Sequence, residues 1–260
     1  MAKAKYELEN GVALITLNDP GTLNAIAVDM TEELTLHFRR AVEEARCVVL
    51  TGEGRGFSSG ANLASGTPPV DADGLPDLGG RLEVTFNPFV AMLRDLPIPY
   101  VTAVNGAAAG IGCSFALLGD IIIASESAYF LQAFRRIGLV PDGSATYHLP
   151  RMIGRARAME MMMLGERISA KTALDWGLIN RCVADADLLP TAKAVALELA
   201  NGPTKTLGMI RRLAWASLDN SWDEQVQAER QAQRLAGRTD DFREGVQAFF
   251  QKRTAKFTGN

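Results

Sequence analysis

Hydrophobic and polar positions change rhythm along the chain, and each change marks an element. Tyr6–Leu8 and Val12–Leu17 are β-rich runs separated by Glu9-Asn10-Gly11, whose Asn-Gly pair predicts a hairpin. From Val28 to Ala45, Leu34, Phe38, Ala41 and Ala45 recur at helical spacing and predict an amphipathic helix. Val48–Thr51 reads as a short buried strand. Thr67–Gly80, rich in Pro, Gly and Asp, reads as a surface excursion. Phe86, Phe89, Val90 and Leu93 form the next helical stripe. Tyr100–Val104 is a predicted strand, Gly106–Gly112 a glycine-rich turn, Cys113–Leu118 a helix and Ile121–Ala124 another strand. The apolar run Ile137–Val140 leads into the turn Pro141-Asp142-Gly143-Ser144 and a further helical stretch.

Strand–turn–helix units therefore repeat through about residue 185, which predicts an α/β fold, with no fixed-period sequence repeat. After Asp187 the strand potential fades. Leu188–Ala200, Thr204–Leu218, Ser221–Ala236 and Asp240–Lys252 all read as helices. Ser221-Trp222-Asp223-Glu224 is a capping-box signature, and Gly237 is a stop signal. The expected organisation is an α/β core over 1–186 and a helical region over 187–260. Leu96–Gly119 is uncharged and long enough to raise a membrane span. Its Pro97, Pro99, Asn105, Gly106, Gly110 and Gly112 favour a buried strand, a turn and a buried helix instead, so no membrane partner is expected.

Composition narrows the chemistry. With 27 basic and 30 acidic side chains among 260 residues, the net charge is −3, which offers no basic footprint for nucleic acid. Two histidines, His37 and His148, and three scattered cysteines form no C-x-x-C or H-E-x-x-H pattern, so no metal site is expected. An odd number of thiols and no recognised signal peptide point to a reducing cytoplasm. Acid–base work then falls to Asp or Glu, or to the backbone.

Several turns are candidates for that work. Gly56-Phe57-Ser58-Ser59-Gly60 matches the G-x-S-x-G of serine hydrolases, with His148 as the downstream histidine of the triad. Hydrolases of that type usually place the histidine near the C-terminus, which disfavours the reading. Gly52-x-Gly54-x-Gly56 lacks the G-K-[ST] of a phosphate loop. The two glycine-rich turns, Gly52–Gly60 and Asn105–Gly112, each follow a strand and run towards a helix start. Such turns expose backbone N–H groups that can hold developing negative charge. The alternative is ordinary turn chemistry. Asp142 alone reads as a solvated turn residue or helix N-cap. Met159, Met161, Met162 and Met163 suit a helical core or subunit contact better than an acyl pocket. Cys113 reads as a small buried hydrophobe and His37 as a surface residue.

Taken together, these turns resemble the crotonase, or enoyl-CoA hydratase/isomerase, superfamily. The matching motifs run in order: Leu17-Asn18-Asp19-Pro20 with Leu23-Asn24-Ala25, Gly54–Leu63, Ala103-Val104-Asn105-Gly106 through Gly112, and Gly119-Asp120-Ile121. Ile137–Pro141 with Leu149-Pro150-Arg151, and the tail Glu244–Phe249 with Lys252-Arg253, complete the set. Within the family the chain is similar to ring-1,2-epoxyphenylacetyl-CoA isomerase-like members. Phe86-Asn87-Pro88, Gly154–Met159, Arg234–Arg238 and Phe257-Thr258-Gly259 carry that likeness.

The resemblance implies a spiral of β-β-α units, a helical C-terminal trimerisation region, and a homotrimer or a homohexamer built as a dimer of trimers. It implies an acyl-CoA substrate and no permanently bound cofactor, coenzyme A being part of the thioester. The N–H groups of Ala61 and Ile111 would form an oxyanion hole. Asn24, Ala25, Ser59, Asn62, Leu63, Gly110 and Phe134 would border the substrate, with Phe249 and Lys252 reaching it from a neighbouring subunit. The two glutamates of family hydratases align to Ser114 and Phe134, neither of which exchanges a proton as a carboxylic acid does. Asp142 instead falls where several isomerases and a dehalogenase of the family place a catalytic aspartate. The expectation is an acyl-CoA isomerase in which Asp142 shuttles a proton. The alternatives are a hydratase or other crotonase reaction, a non-catalytic acyl-CoA binder, and a serine hydrolase.

Overall fold

The computed structural model describes residues 2–64 and 70–260. Ten strands and ten helices are present among them. The chain opens on β1 (Ala4–Glu9) and β2 (Val12–Leu17), joined by Asn10 and Gly11 at φ 51° and 75°, the left-handed pair that an Asn-Gly hairpin turn requires. Helix α1 (Val28–Glu44) buries Met30, Leu34, Phe38 and Ala41, the stripe expected from its period. Then follow β3 (Cys47–Gly52), β4 (Gly56–Ser58), the short α2 (Leu78–Arg81), a widened turn over Leu82–Phe86, and α3 (Asn87–Arg94). Of the predicted excursion, Thr67–Pro69 lies outside the described residues. The rest is irregular with a Val70–Pro76 bridge, until α2 begins at Leu78.

The middle of the chain is β5 (Tyr100–Val104), β6 (Ala107–Ala109), α4 (Ile111–Leu117), β7 (Ile121–Ser125), β8 (Tyr129–Leu131) and α5 (Ala145–Leu164), which breaks at Gly154. After β9 (Ile168–Ser169), α6 (Ala170–Asp175) and β10 (Arg181–Val183) the chain is helical: α7 (Leu188–Ala200), α8 (Thr204–Ala216), α9 (Trp222–Ala236) and α10 (Asp240–Gln251). The capping box at Ser221 and Glu224 forms as the sequence predicts.

Two sheets organise these elements. One has six strands in the order β1-β2-β3-β5-β7-β10, parallel except at β1; the other has four, β4-β6-β8-β9. Each unit thus contributes a long strand to the first sheet, a short one to the second, and then a helix. Two of the short strands sit inside segments that the sequence pattern reads as turns, Gly52–Gly60 and Gly106–Gly112, and α4 starts two residues before the predicted helix.

The long strands are covered on both faces, so period-2 burial splits them. Ala13, Ile15, Leu17, Val48 and Leu50 join the main core with α1, α3 and α4. Val12, Leu14, Val49 and Val101 pack against Leu188, Ala192, Val195 and Ala196 of α7. Helix α7 is therefore a layer of the α/β body, although composition alone groups it with the terminal helices. The uncharged stretch Leu96–Gly119 is divided among β5, β6 and α4. No helix among the described residues is long and apolar enough to cross a membrane.

Candidate active site

Strands β4 and β6 run parallel in the second sheet, so the two glycine-rich segments leave it side by side. Gly60, at φ 99°, lies so close to its neighbour that a Cβ there would stand 2.9 Å from the Ala109 carbonyl oxygen and 3.6 Å from the Gly110 Cα. Gly110 takes φ 52°, and a Cβ on it would meet the Phe134 ring at 3.8 Å. At Gly60 both the backbone angle and the close approach call for glycine, and at Gly110 the backbone angle does. The amides that follow them, on Ala61 and Ile111, are brought together.

Both amides are directed away from internal acceptors. Ile26 and Ala61 form an isolated parallel bridge in which Ile26 N–H donates to Gly60 O at 2.7 Å and Asn62 N–H donates to Ile26 O at 2.8 Å. In that pattern the N–H of Ala61 itself faces the opposite side. Ile111 is the first residue of α4, where an N–H has no intrahelical acceptor and carries the positive end of the helix dipole.

The segment before α1 is zipped to the one after β4. Ser59 N–H donates to Leu23 O and its hydroxyl to Thr22 O, both at 2.8 Å. Ala25, Ser59, Ala61, Asn62 and Leu63 therefore share one ribbon, with Leu63 70% exposed at its edge. Asn62 Oδ1 accepts from Ala64 N–H, which rounds the end of the ribbon. Asn24 behaves differently from its expected substrate-bordering role. It is fully buried at φ 56°, its amide donates to Glu53 O and Gly56 O, and its Oδ1 accepts from Asp19 N–H. All its polar atoms are spent on shaping the ribbon from behind.

The structure removes the hydrolase arrangement. Ser58 is buried, donates to Asn24 O at 2.8 Å and accepts from Gly60 N–H at 3.2 Å. His148 lies instead 3.2 Å from Ser144 Oγ, through Nδ1. Burial holds its imidazole down to about 4, so the ring is neutral at ordinary pH. His37, expected at the surface, is half-buried beside Tyr6.

Asp142 lies on the turn that precedes α5. Its turn rests on α4, where a Cβ on Gly143 would fall 3.3 Å from Ile111 Cγ1. One carboxylate oxygen, Oδ1, is buried without a hydrogen-bond partner. Burial alone pushes the acid up to about 6. Phe134 is buried beside Gly110, in the 3₁₀ turn Ala133–Ile137. The apolar run that follows, Ile137–Val140, lies at the surface, with Val140 80% exposed. The methionines divide: Met161 is in the core, Met162 packs against it, and Met159 and Met163 are exposed. Cys113 is fully buried, and burial raises its thiol to about 12. Phe249 and Lys252 stand at the exposed end of α10; the Phe249 ring packs edge-on against Phe250, and no hydrogen bond among the described residues joins either to this site.

Sequence reasoning missed Ser114 as a partner of Asp142: its hydroxyl donates to the Asp142 carbonyl at 3.0 Å. It also missed the internal work of Asn24, for which an Asn before a small apolar run is a faint signal of a left-handed residue.

The family model for enoyl-CoA hydratase/isomerase matches residues 7–260. The chain is 45% identical over 255 residues to the 1,2-epoxyphenylacetyl-CoA isomerase of Escherichia coli, covering 97% of each. It is 44% identical over 255 residues to a probable enoyl-CoA hydratase of Rhodobacter capsulatus, covering 98% of this chain and 97% of that one. The solved enoyl-CoA hydratase of Bacillus anthracis superposes with a TM-score of 0.90 at 29% identity, over 99% of this chain and 100% of the other.

Proposed function

The chain belongs to the enoyl-CoA hydratase/isomerase family, and from that premise we propose that it is an acyl-CoA isomerase whose proton-transfer group is Asp142. The observation that carries the reading is the Asp142 carboxyl: partly buried, with an unpartnered oxygen, raised to about 6, on a turn packed against the helix that begins at Ile111. A base poised near the working pH is what α-proton abstraction needs.

On a 3-enoyl thioester the Asp142 carboxylate takes a proton from the α-carbon. The C–H electron pair moves towards the thioester carbonyl, giving an enolate conjugated with the double bond. Its oxygen is held by the Ala61 and Ile111 amides, each such donor contributing about 2.7–4 kcal/mol to the transition state. The proton then returns from Asp142 to the γ-carbon, and the double bond ends between the α- and β-carbons. Only a proton moves, so the step calls for no resident cofactor or metal.

The coenzyme A portion lies along the ribbon of Ala25, Ser59 and Leu63, with Gly110 and Phe134 bordering the acyl group. Phe249 and Lys252 complete the site from a neighbouring copy in a homotrimer or homohexamer. The apolar face of α10, where Phe242, Val246, Phe249 and Phe250 are exposed, supports that role for 187–260. A cytoplasmic, acyl-CoA-handling enzyme is the consistent setting. The 45% relative favours a ring-epoxide thioester as a second isomerase substrate.

Hydration is the second reading, supported by the 44% relative. The positions that the family pattern gives to two glutamates hold Ser114 and Phe134, which leaves no carboxylate pair to activate water. Incubation with 3-enoyl-CoA, 2-enoyl-CoA, the aromatic ring epoxide thioester and a saturated acyl-CoA separates the readings. Isomerised product is expected from the first. Water addition to 2-enoyl-CoA without isomerisation would replace the proposal with a hydratase, and saturable binding without product would replace it with a binder.

A further inference from the structure

The turn that carries Asp142 is fastened to the helix that begins at Ile111. Ser114 lies one turn along α4 from Ile111, is fully buried, and donates its hydroxyl proton to the Asp142 backbone carbonyl at 3.0 Å. The same carbonyl accepts from Ala145 N–H at 3.1 Å. Gly143 seats on this point: a Cβ there would come 2.8 Å from Ser114 Cβ. Beyond it, Ser144 takes φ 64° with its hydroxyl 3.2 Å from His148 Nδ1. The Asp142 Oδ1 has no hydrogen bond of its own, so the main chain is what places the carboxyl group.

From this geometry, and resting on the reading of Asp142 as the proton-transfer group, we infer that Ser114 is a positioning residue. It ties the Asp142 backbone to the helix that presents the Ile111 amide, and so fixes the proton-transfer group relative to the oxyanion donor. Residues three apart on a helix share a face, so amide and tether are set by one rigid turn. A displacement of about 1 Å in such an arrangement costs about 100-fold in rate. The choice of acceptor matters as well. A hydroxyl donating to the carboxylate would stabilise its charged form and weaken the base, whereas one donating to the carbonyl positions it without that loss.

The test compares Ser114→Ala, Ser114→Thr and Asp142→Asn in isomerisation of 3-enoyl-CoA, with calorimetric binding of a saturated acyl-CoA alongside. Ser114→Ala is expected to lose about 10- to 100-fold in kcat, with KM and saturated-thioester Kd within about twofold of wild type. Ser114→Thr, which keeps the hydroxyl, is expected to recover most of the loss. Wild-type kcat in Ser114→Ala beside an inactive Asp142→Asn overturns the inference and leaves the base assignment standing. Failure of Ser114→Thr to improve on Ser114→Ala also overturns it, since packing and not the hydroxyl would then be the cause. Wild-type turnover in Asp142→Asn overturns the base assignment and this inference with it.

Discussion

Gly112 and Ser58 are in contact across the two glycine-rich segments: a Cβ on Gly112 would fall 2.5 Å from both Cβ and Oγ of Ser58. Ser58 cannot yield, because its hydroxyl is held between Asn24 O and Gly60 N–H. A methyl group on Gly112 must therefore push α4, and with it the Ile111 amide, away from Ala61. Gly112→Ala is expected to destabilise the fold by about 1–3 kcal/mol, the usual cost of overpacking. It should also lower kcat by about 100-fold by separating the two donors. Combining it with Ser58→Gly relieves the clash, so kcat and melting temperature measured around the double-mutant cycle should be non-additive. Additive losses would mean that the two segments do not constrain each other.

Asp142 makes opposite demands on activity and stability. Its acid is raised to about 6 by burial, so the carboxylate form that abstracts a proton is lost as pH falls through 6. Isomerisation kcat/KM should decline on that acid limb. For stability the sign reverses. The native chain binds this proton more tightly than the unfolded chain, so the contribution is present below the ordinary value of 3.8 and is lost as pH rises through about 6. Charged Asp142 is then a strain of about 1–3 kcal/mol at neutral pH. Asp142→Asn should abolish isomerisation while raising the melting temperature at pH 7, with the gap closing by pH 4. Equal melting temperatures at pH 7 would show that the burial does not tax the charged form.

How far these features were readable without coordinates depends on whether they are local. The Asn10-Gly11 hairpin and the Leu34–Phe38–Ala41 stripe are set by neighbours two to four residues away, and both are visible as pattern. Strands β4 and β6 are three residues each, glycine and alanine rich in part, and they pair with segments about fifty residues apart. No period can show in three residues, and their strand character comes from the pairing. The Asp142 turn is visible in the sequence and its catalytic reading comes from the family pattern, whereas the Ser114 tether is a product of folding.

His148 should set part of the acid lability. Its imidazole is held at about 4 against an ordinary 6.5, so the unfolded chain takes up the proton first as pH falls. Its contribution is present above 6.5 and is lost as pH drops from 6.5 through about 4, by up to about 3 kcal/mol. Asp142 works in the other direction over much of the same window, so the wild type should show a shallow net slope. His148→Leu removes one component and leaves the other. Its stability in urea should rise from pH 6.5 to 4 relative to wild type, whereas an unchanged slope would assign the acid lability elsewhere.

Arg211 tests whether the terminal helices are structurally integral to the body. From α8 its buried guanidinium donates to Leu93 O at 2.6 Å, to Leu96 O at 3.1 Å, to Arg94 O, and to the Asp120 carboxylate at 2.8 Å. Asp120 in turn accepts from Tyr100 N–H at the start of β5. One side chain thus joins α8 to the end of α3 and to two strands of the large sheet. Arg211→Ala leaves three carbonyls without this donor and the partly exposed Asp120 carboxylate with Tyr100 N–H alone, a loss of about 2–4 kcal/mol. Raising pH cannot rescue the variant, because the stranded Asp120 is costliest when charged; acidification should recover part of the loss. Denaturation by urea at pH 5 and pH 8 would measure both. A destabilisation under about 1 kcal/mol at pH 8, the scale of a surface pair, would show that α8 is held by its apolar contacts alone.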